Sequence, residues 1–393
     1  MTGGNRAPVI VGIGLSDAPR APHLDAVQHH VLAARRAIAD AGIAKADIDG
    51  YVSAGGGGSM VDDAITMAEY LRIDHRYIDS TMTGGSSFEF HVQHLAAAIR
   101  DGACDTALVT YGSDRLSTMG RNLGTGGFMR PGQRVAGPAQ YEAPYGNTLV
   151  GAYAMHAMRH MHEYGTTSEQ LAHIAVGVRE FAALNPNAMY RDPITVDDVV
   201  NSRLVADPLH KLDCCAVTDG GGAFIMTTAE RARDLPRKPV YVLGAAGAQT
   251  HWNISQQTDF TSSAAAKCGP IAMARAGVSH SDIDMVMIYD SFTITVLLLL
   301  ESLGFAPRGE GGRWVQEGHL RRGGSLPMNT DGGGLSGCHP GMRGIFLITE
   351  AVRQLRGDAG VVQVPDCKVA LCAGSGGWLS AIGVAVLGTE ASS

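Results

Sequence analysis

Two stretches of this chain share one frame, and that sharing constrains the fold more than any other feature. "AIADAGIAKADIDGYVSAG" (37–55) and "AMARAGVSHSDIDMVMIYDS" (272–291) each read as the end of an Ala-rich helix, then AG, four residues, DID and an apolar strand. The frames begin at Ala41 and Ala276. Glycine suits a helix C-cap because it accepts positive φ without a Cβ penalty, and the apolar run after DID has the length of a strand. The order then continues alike. A Gly turn and helix at 84–100 lead to "DTALVTYGSD" in the first copy. "GGGLSGCHPG" leads to the helix "GIFLITEAVRQLRG" and to "KVALCAGSGGWLSAIGVAVLG" in the second. Strand and helix alternate in both, which predicts an α/β fold of two duplicated units stacked on each other. The expected halves are 1–235 and 236–393, each a mixed sheet flanked by helices.

Composition agrees with a large core. Of 393 residues, 45% are hydrophobic and 18% charged, so a mostly disordered chain is excluded. Net charge is −7 without a Lys/Arg run, which gives nucleic-acid binding no footing. "TVLLLLESLGF" (295–305) is too short an apolar run to span a membrane and reads as a buried helix. The opening "MTGGNRAPVIVGIGLSD" is too polar for a signal peptide. Seven cysteines without a CxxC pair favour reduced thiols in a cytoplasm and no zinc ribbon in this chain.

Between the copies, roughly 115–210 is rich in Met, His and Tyr and reads as an insertion shaping a substrate pocket, or as a structural cap. "TTSEQLAHIAVGVREFA" is an amphipathic helix with Thr at its cap and Glu three residues after Thr166. His156 and His160 share a helix face, but no third ligand accompanies them, so no metal site is expected. Cys214 and Cys215 read as structural, and Asp219 in "TDGGGAF" as the holder of a turn.

"STMTGGSSFEF" (80–90) is a Gly-rich turn running into a helix, a place that commonly presents a nucleophile or cradles an anion. Here Gly84 and Gly85 stand where the nucleophile is sought. Together with "EYGTTSEQLAHIAV", "PLHKLDCCAVTDGGGAFIMT", "YDSFTITVLLLLESLGF" and "GGGLSGCHPGMRG", the chain resembles the thiolase superfamily over nearly its whole length. In detail it is most similar to the sterol-carrier-protein or lipid-transfer-protein branch. The resemblance implies a five-layer α-β-α-β-α arrangement, a homodimer formed through the N-terminal half, and four active-site turns. The nucleophilic Cys position holds Gly84, followed by Gly85, Ser86 and Ser87. The turn that orients a water or the thioester oxygen reads Tyr289-Asp290-Ser291-Phe292. The GHP-like turn reads Cys338-His339-Pro340, and the CxG turn reads Cys372-Ala373-Gly374.

Glycine cannot form an acyl-enzyme, so ordinary thiolysis is in doubt. An enolate can still form if its oxygen is held, with His339 and the backbone amides of Gly84, Gly85 and Gly374 as candidates. Tyr289 supplies a phenol, and Asp290 is read as orienting that turn or the substrate hydroxyl. The expected reaction is a retro-aldol cleavage of a β-hydroxyacyl-CoA of the steroid side-chain type. Coenzyme A enters only as part of the substrate, and this chain carries no cofactor of its own. The resemblance implies a small partner with an acyl-CoA-binding OB-fold and a zinc ribbon, which holds the zinc and extends the dimer to a heterotetramer. Two alternatives stay open. One is a thiolase or acyltransferase with a relocated thiol, Cys338 or Cys372, or with Ser86 or Ser87 as the replacement nucleophile. The other is a non-catalytic acyl-CoA or lipid binder.

Overall fold

The computed structural model describes residues 6–55, 63–120 and 135–391. The glycines at 56–58 and 124–127 fall outside them. The first copy runs β1 (Pro8–Leu15), α1 (Ala26–Ala41), β2 (Gly50–Ser53), α2 (Ala64–Leu71), β3 (Tyr77–Asp79), α3 (Ser87–Asp101) and β4 (Thr106–Ser113). Then come α4 (Arg115–Met119), α5 (Ala139–Glu142), α6 (Leu149–Tyr164), α7 (Ser168–Leu184), α8 (Val196–Val200) and a short hairpin, β5 (Leu204–Ala206) with β6 (Leu209–His210). Strand β7 (Gly220–Thr228) returns to the sheet, followed by α9 (Ala229–Ala232). The second copy runs β8 (Val240–Gln249), α10 (Ala265–Ala276), β9 (Met285–Ile288), α11 (Thr293–Leu303), α12 (Gly311–Gln316), α13 (Gly344–Arg356), β10 (Val369–Gly376) and β11 (Ala381–Gly388).

The repeated frame does the same work twice. Gly42 and Gly277 close α1 and α10 in the left-handed region, at φ 68° and 69°. The first Asp of each DID, Asp47 or Asp282, accepts the N–H of Ala44 or Ser279 and closes a short turn. The last Asp ties the incoming strand to its parallel neighbour. Asp49 accepts from the amides of Asp105 and Thr106, and Asp284 from those of Lys368 and Val369.

Strand order is β3-β2-β4-β7-β1-β8-β11-β10-β9, with β2/β3, β2/β4 and β9/β10 parallel and the rest antiparallel. On the far side of β9, Met328 bridges Val286, so each copy orders its strands alike outward from the join. The expectation of two separate sheets is modified here. Val9 and Ile10 of β1 pair with Tyr241 and Val240 of β8, which fuses the two into nine strands. Helices α3 and α13 pack against each other and against strands of both copies, forming the middle layer around Phe88, Val92, Phe346 and Leu347. Helix α1 covers the outer face of the first copy, and α10 and α11 that of the second. Helix α11 is buried apart from Ser302, as its unbroken leucine run requires. The cap of α7 lies one residue later than the sequence suggested: Thr167 accepts from Gln170 N–H, and the Gln170 side chain answers it. Thr166 instead bonds His160. Among the described residues no helix is long and apolar enough to cross a membrane.

Candidate active site

A cavity of about 740 Å³ opens where the ends of both copies meet. The Gly84 turn, Tyr111 near the end of β4, Leu149 and Tyr153 from α6, Cys215, the Tyr289 turn, the His339 turn, and Ser375 and Gly376 of β10 with Gly377 after it line it. Arg115, Thr118 and Met119 of α4 sit on the same wall, so the segment between the copies contributes to the cavity.

Gly84 lies at φ +80°, a backbone strained for any residue with a Cβ. Its N–H points at Met82 Sδ (3.2 Å), a weak acceptor that a ligand oxygen can displace. A Cβ on Gly85 would overlap the Tyr289 ring, including its Oη at 2.5 Å. The phenol therefore fills the space a side chain at 85 would need. Ser86 and Ser87 are spent inside the turn. Ser86 Oγ bonds Thr83 Oγ1 at 3.1 Å, and Ser87 Oγ donates to Gly84 O and accepts from Thr83 N–H.

Tyr289 donates to Gly341 O at 3.2 Å and stands edge-on to His339, with ring centroids 5.4 Å apart. Burial, with Cys215, Tyr111 and Tyr153 nearby, keeps its phenol protonated well above the usual range. His339 is 4% exposed, and neither ring nitrogen has a hydrogen-bond partner among the described residues. Burial, reinforced by the Arg343 cation, drives its pKa down to about 3, so the imidazole is neutral. Tyr111 braces the same turn, donating to Pro340 O (2.8 Å) and accepting from Met342 N–H (3.0 Å).

Four other candidates lie off the cavity wall. Asp290 is fully buried and accepts from the amides of Gly334 and Leu335, with Arg343 Nε at 3.3 Å. It orients the turn, and burial lifts its carboxyl to about 6. Arg343 in turn holds Asp331 and the Cys338 carbonyl. Cys338 faces a separate pocket beside Asp17, Arg36 and Arg353, with Sγ 3.2 Å from Thr218 Oγ1. Cys372 lies on the β10 face that packs on the middle layer, Sγ toward Leu347 O at 3.6 Å. Gly374 shares that face, and an added Cβ there would strike Glu89. Burial pushes Cys338 up to about 12 and Cys372 well above the usual thiol range. The relocated-thiol alternative thus loses its geometry at both positions, because strand alternation and the 338 turn aim the thiols away.

The sequence reading missed Tyr111, Tyr153, Cys215 and Ser375 as wall residues. None sits in a motif that marks it, though Ser375 adjoins the CxG turn. Asp219, expected to hold its own turn, instead ties two distant segments together, accepting from Ala21 N–H and from both Ser117 N–H and Oγ–H. His156 and His160 have both ring nitrogens taken by hydrogen bonds. No His/Cys/Asp/Glu cluster with metal-ligating geometry occurs among the described residues.

Two stacked copies with a glycine-emptied turn at their junction define a thiolase-like protein. Residues 246–389 match the family described as thiolase C-terminal domain-like. The chain is 37% identical to a steroid side-chain-cleaving aldolase of Thermomonospora curvata, over 94% of this chain and 95% of the relative. It is 32% identical to the 17-hydroxy-3-oxo-4-pregnene-20-carboxyl-CoA lyase of Mycobacterium tuberculosis, over 88% and 91%. The solved structure named Ltp2-ChsH2(DUF35) aldolase superposes with a TM-score of 0.87 at 34% identity, covering 98% of each chain. The chain belongs to the thiolase superfamily, in the sterol-carrier-protein-like branch that includes these aldolases.

Proposed function

We propose that this chain is an acyl-CoA carbon–carbon lyase that cleaves a β-hydroxyacyl-CoA by a retro-aldol reaction without a covalent intermediate. The observation that carries it is the Tyr289 ring packed over Gly85, beside a Gly84 that has no side chain to acylate. In the reaction the β-hydroxyl proton leaves, the β-oxygen becomes a ketone or aldehyde, and the Cα–Cβ electron pair passes into the thioester enolate. A proton then returns to Cα, so no co-reactant is needed. Tyr289 fits both proton movements, taking the hydroxyl proton as it gives its own to Cα. It never has to persist as a phenolate, in keeping with its raised pKa. Neutral His339 donates an N–H to the thioester oxygen, joined by the backbone amides of the Gly84 turn.

The named chemistry of the relatives motivates a steroid side chain as the acyl group. Met82, Met119 and Met342 on the wall suit a bulky apolar body because thioethers adapt to irregular shapes. The solved relative's name pairs Ltp2 with ChsH2(DUF35), which supports a second subunit here. We assign that subunit the OB-fold and zinc ribbon, with any zinc its own, and assign this chain a homodimer that two partners extend to a heterotetramer.

The test is cleavage of a β-hydroxyacyl-CoA by the chain co-expressed with its partner, read as ketone and shorter acyl-CoA, with intact-mass spectrometry alongside. Cleavage with an unmodified chain is expected. An acyl adduct on any cysteine, with Cys215 the thiol on the wall, would replace this mechanism by acyl transfer. Tight binding without turnover would leave a binding protein.

A further inference from the structure

Ser375 lines the cavity, is 3% exposed, and its Oγ makes no well-aligned hydrogen bond among the described residues, the neighbouring Tyr153 hydroxyl giving its proton to Gly377 O. Buried hydroxyls are nearly always paired, so one left open toward a cavity points to a group that arrives with a ligand. Strand geometry sets its direction. Side chains alternate along β10, so Gly374 faces α3 and Glu89 while Ser375 faces the Tyr153 side. Tyr153 is fixed there. Its hydroxyl donates to Gly377 O at 3.1 Å, and its ring packs on Phe292 with centroids 4.6 Å apart. The hydroxyls of Ser375 and Ser291 lie close enough to temper the rise that burial gives the Tyr153 phenol. Tyr153, Ser291 and Ser375 line the same cavity as Tyr289, so this cluster shares it with the reacting phenol. Among the described residues, three that line the cavity have buried polar atoms without a partner: Arg115 at Nε, the His339 ring against Tyr289, and the Ser375 hydroxyl beside Tyr153.

We infer that Ser375, set beside Tyr153, forms a second oxygen-recognising subsite that takes the β-oxygen of the substrate while His339 takes the thioester oxygen. The inference rests on the retro-aldol reading, in which two oxygens change character. The β-oxygen loses its proton and becomes a carbonyl, and the thioester oxygen gains the charge of the enolate. The β-hydroxyl gives its one proton to Tyr289, so the Ser375 hydroxyl donates to a lone pair of the β-oxygen before cleavage and to the new carbonyl after it. An acyl group lacking that oxygen leaves Ser375 buried and unpaired, which costs affinity. The subsite thus selects β-oxygenated acyl groups.

The test uses the full chain in a Tyr289→Phe background, which keeps the probe intact. Calorimetric titrations compare hydroxycyclohexylacetyl-CoA, with its hydroxyl on the carbon β to the thioester, and cyclohexylacetyl-CoA. The hydroxylated probe is expected to bind about tenfold more tightly. Ser375→Ala should bring the ratio to near one, and Ser375→Thr should retain most of it. Unchanged preference in Ser375→Ala, or a parent chain that prefers neither probe or binds neither, overturns the inference. Cleavage is read separately with Tyr289 present. Cleavage without loss of preference in Ser375→Ala sinks the subsite and leaves the lyase. Loss of preference without cleavage leaves the subsite and sinks the lyase.

Discussion

The two copies agree wherever they build scaffold and part where their strands end. Asp49 and Asp284 tie neighbouring strands through equivalent amides, and Gly42 and Gly277 close equivalent helices at nearly the same φ. At the cavity the likeness stops. The turn before α3 offers Met82, Gly84 and Gly85, with both serines turned inward. The turn before α13 offers His339, with Arg343 buried behind it on Asp331 and beside Asp290. At these turns the first copy supplies space, backbone and an apolar side chain, and the second supplies the polar side chains. Duplication gives a symmetric frame, and the chemistry lies in the departures from it.

Tyr289→Phe tests the side-chain half of that contrast and should have the largest effect. It removes one buried hydrogen bond, to Gly341 O, so the fold should hold within about 1 kcal/mol. Cleavage should fall about 10²- to 10⁴-fold in kcat/KM, the usual worth of a general acid–base. Loss of less than threefold would take the phenol out of the mechanism.

Gly85→Ala tests the empty half. The new methyl group would occupy the Tyr289 ring's place, so the phenol must swing away. A displacement near 1 Å is worth about 10²-fold in rate, and the loss should appear in kcat rather than in binding of an unreactive acyl-CoA. If Gly85→Ala and Tyr289→Phe lower kcat/KM independently and multiply, the two positions are not coupled and the packing argument fails.

The scaffold half predicts equality. Asp49→Ala and Asp284→Ala each leave two strand amides without their acceptor, and each should cost about 2 kcal/mol in urea unfolding. Asp49 also pairs with Arg76, but that pair is partly exposed and adds little. Its carboxyl is held below the usual range by the Thr106 amide, Arg76 and the Asp105 amide, working against burial. The stability it adds is present above its unfolded value near 3.8 and is lost as pH falls through the lower folded value. A difference above 2 kcal/mol between the two variants would mean that the copies do not share the work.

What could be read from the sequence follows the same division. The DID frames, the leucine-rich buried helix and the Gly84 turn rest on local chemistry, a cap, an apolar run or a missing Cβ, and all lie in a few consecutive residues. The fusion of two sheets into nine strands rests on two residue pairs between β1 and β8, which no local pattern announces. The cavity wall is legible only in part, for the same reason. Tyr289 and His339 sit in turns that a known frame marks. Tyr153 comes from a helix without a motif, and its place depends on how α6 packs on α11. Cys372 and Ser375 are three residues apart on one strand and so face opposite sides. Alternation separates them in advance, but which side opens into the cavity is settled only by tertiary packing.

The pH profile gives the smallest effect and separates activity from stability. His339 is neutral above its depressed value of about 3, and Tyr289 stays protonated well beyond 10. Neither titrates in between, so kcat/KM should be flat from about pH 5 to 9. Asp290 behaves otherwise, since burial outweighs Arg343 and two amides and lifts it to about 6. For an acid raised in this way, the stability gained is full below its unfolded value near 3.8 and fades as pH rises through about 6. Thermal midpoints should therefore carry a component that declines across that window and is absent in Asp290→Asn, while the rate stays level. An inflection in kcat/KM near pH 6 that vanishes in the same variant would move Asp290 from holding the turn into the chemistry, and the side-chain half of the site would be larger than the cavity wall.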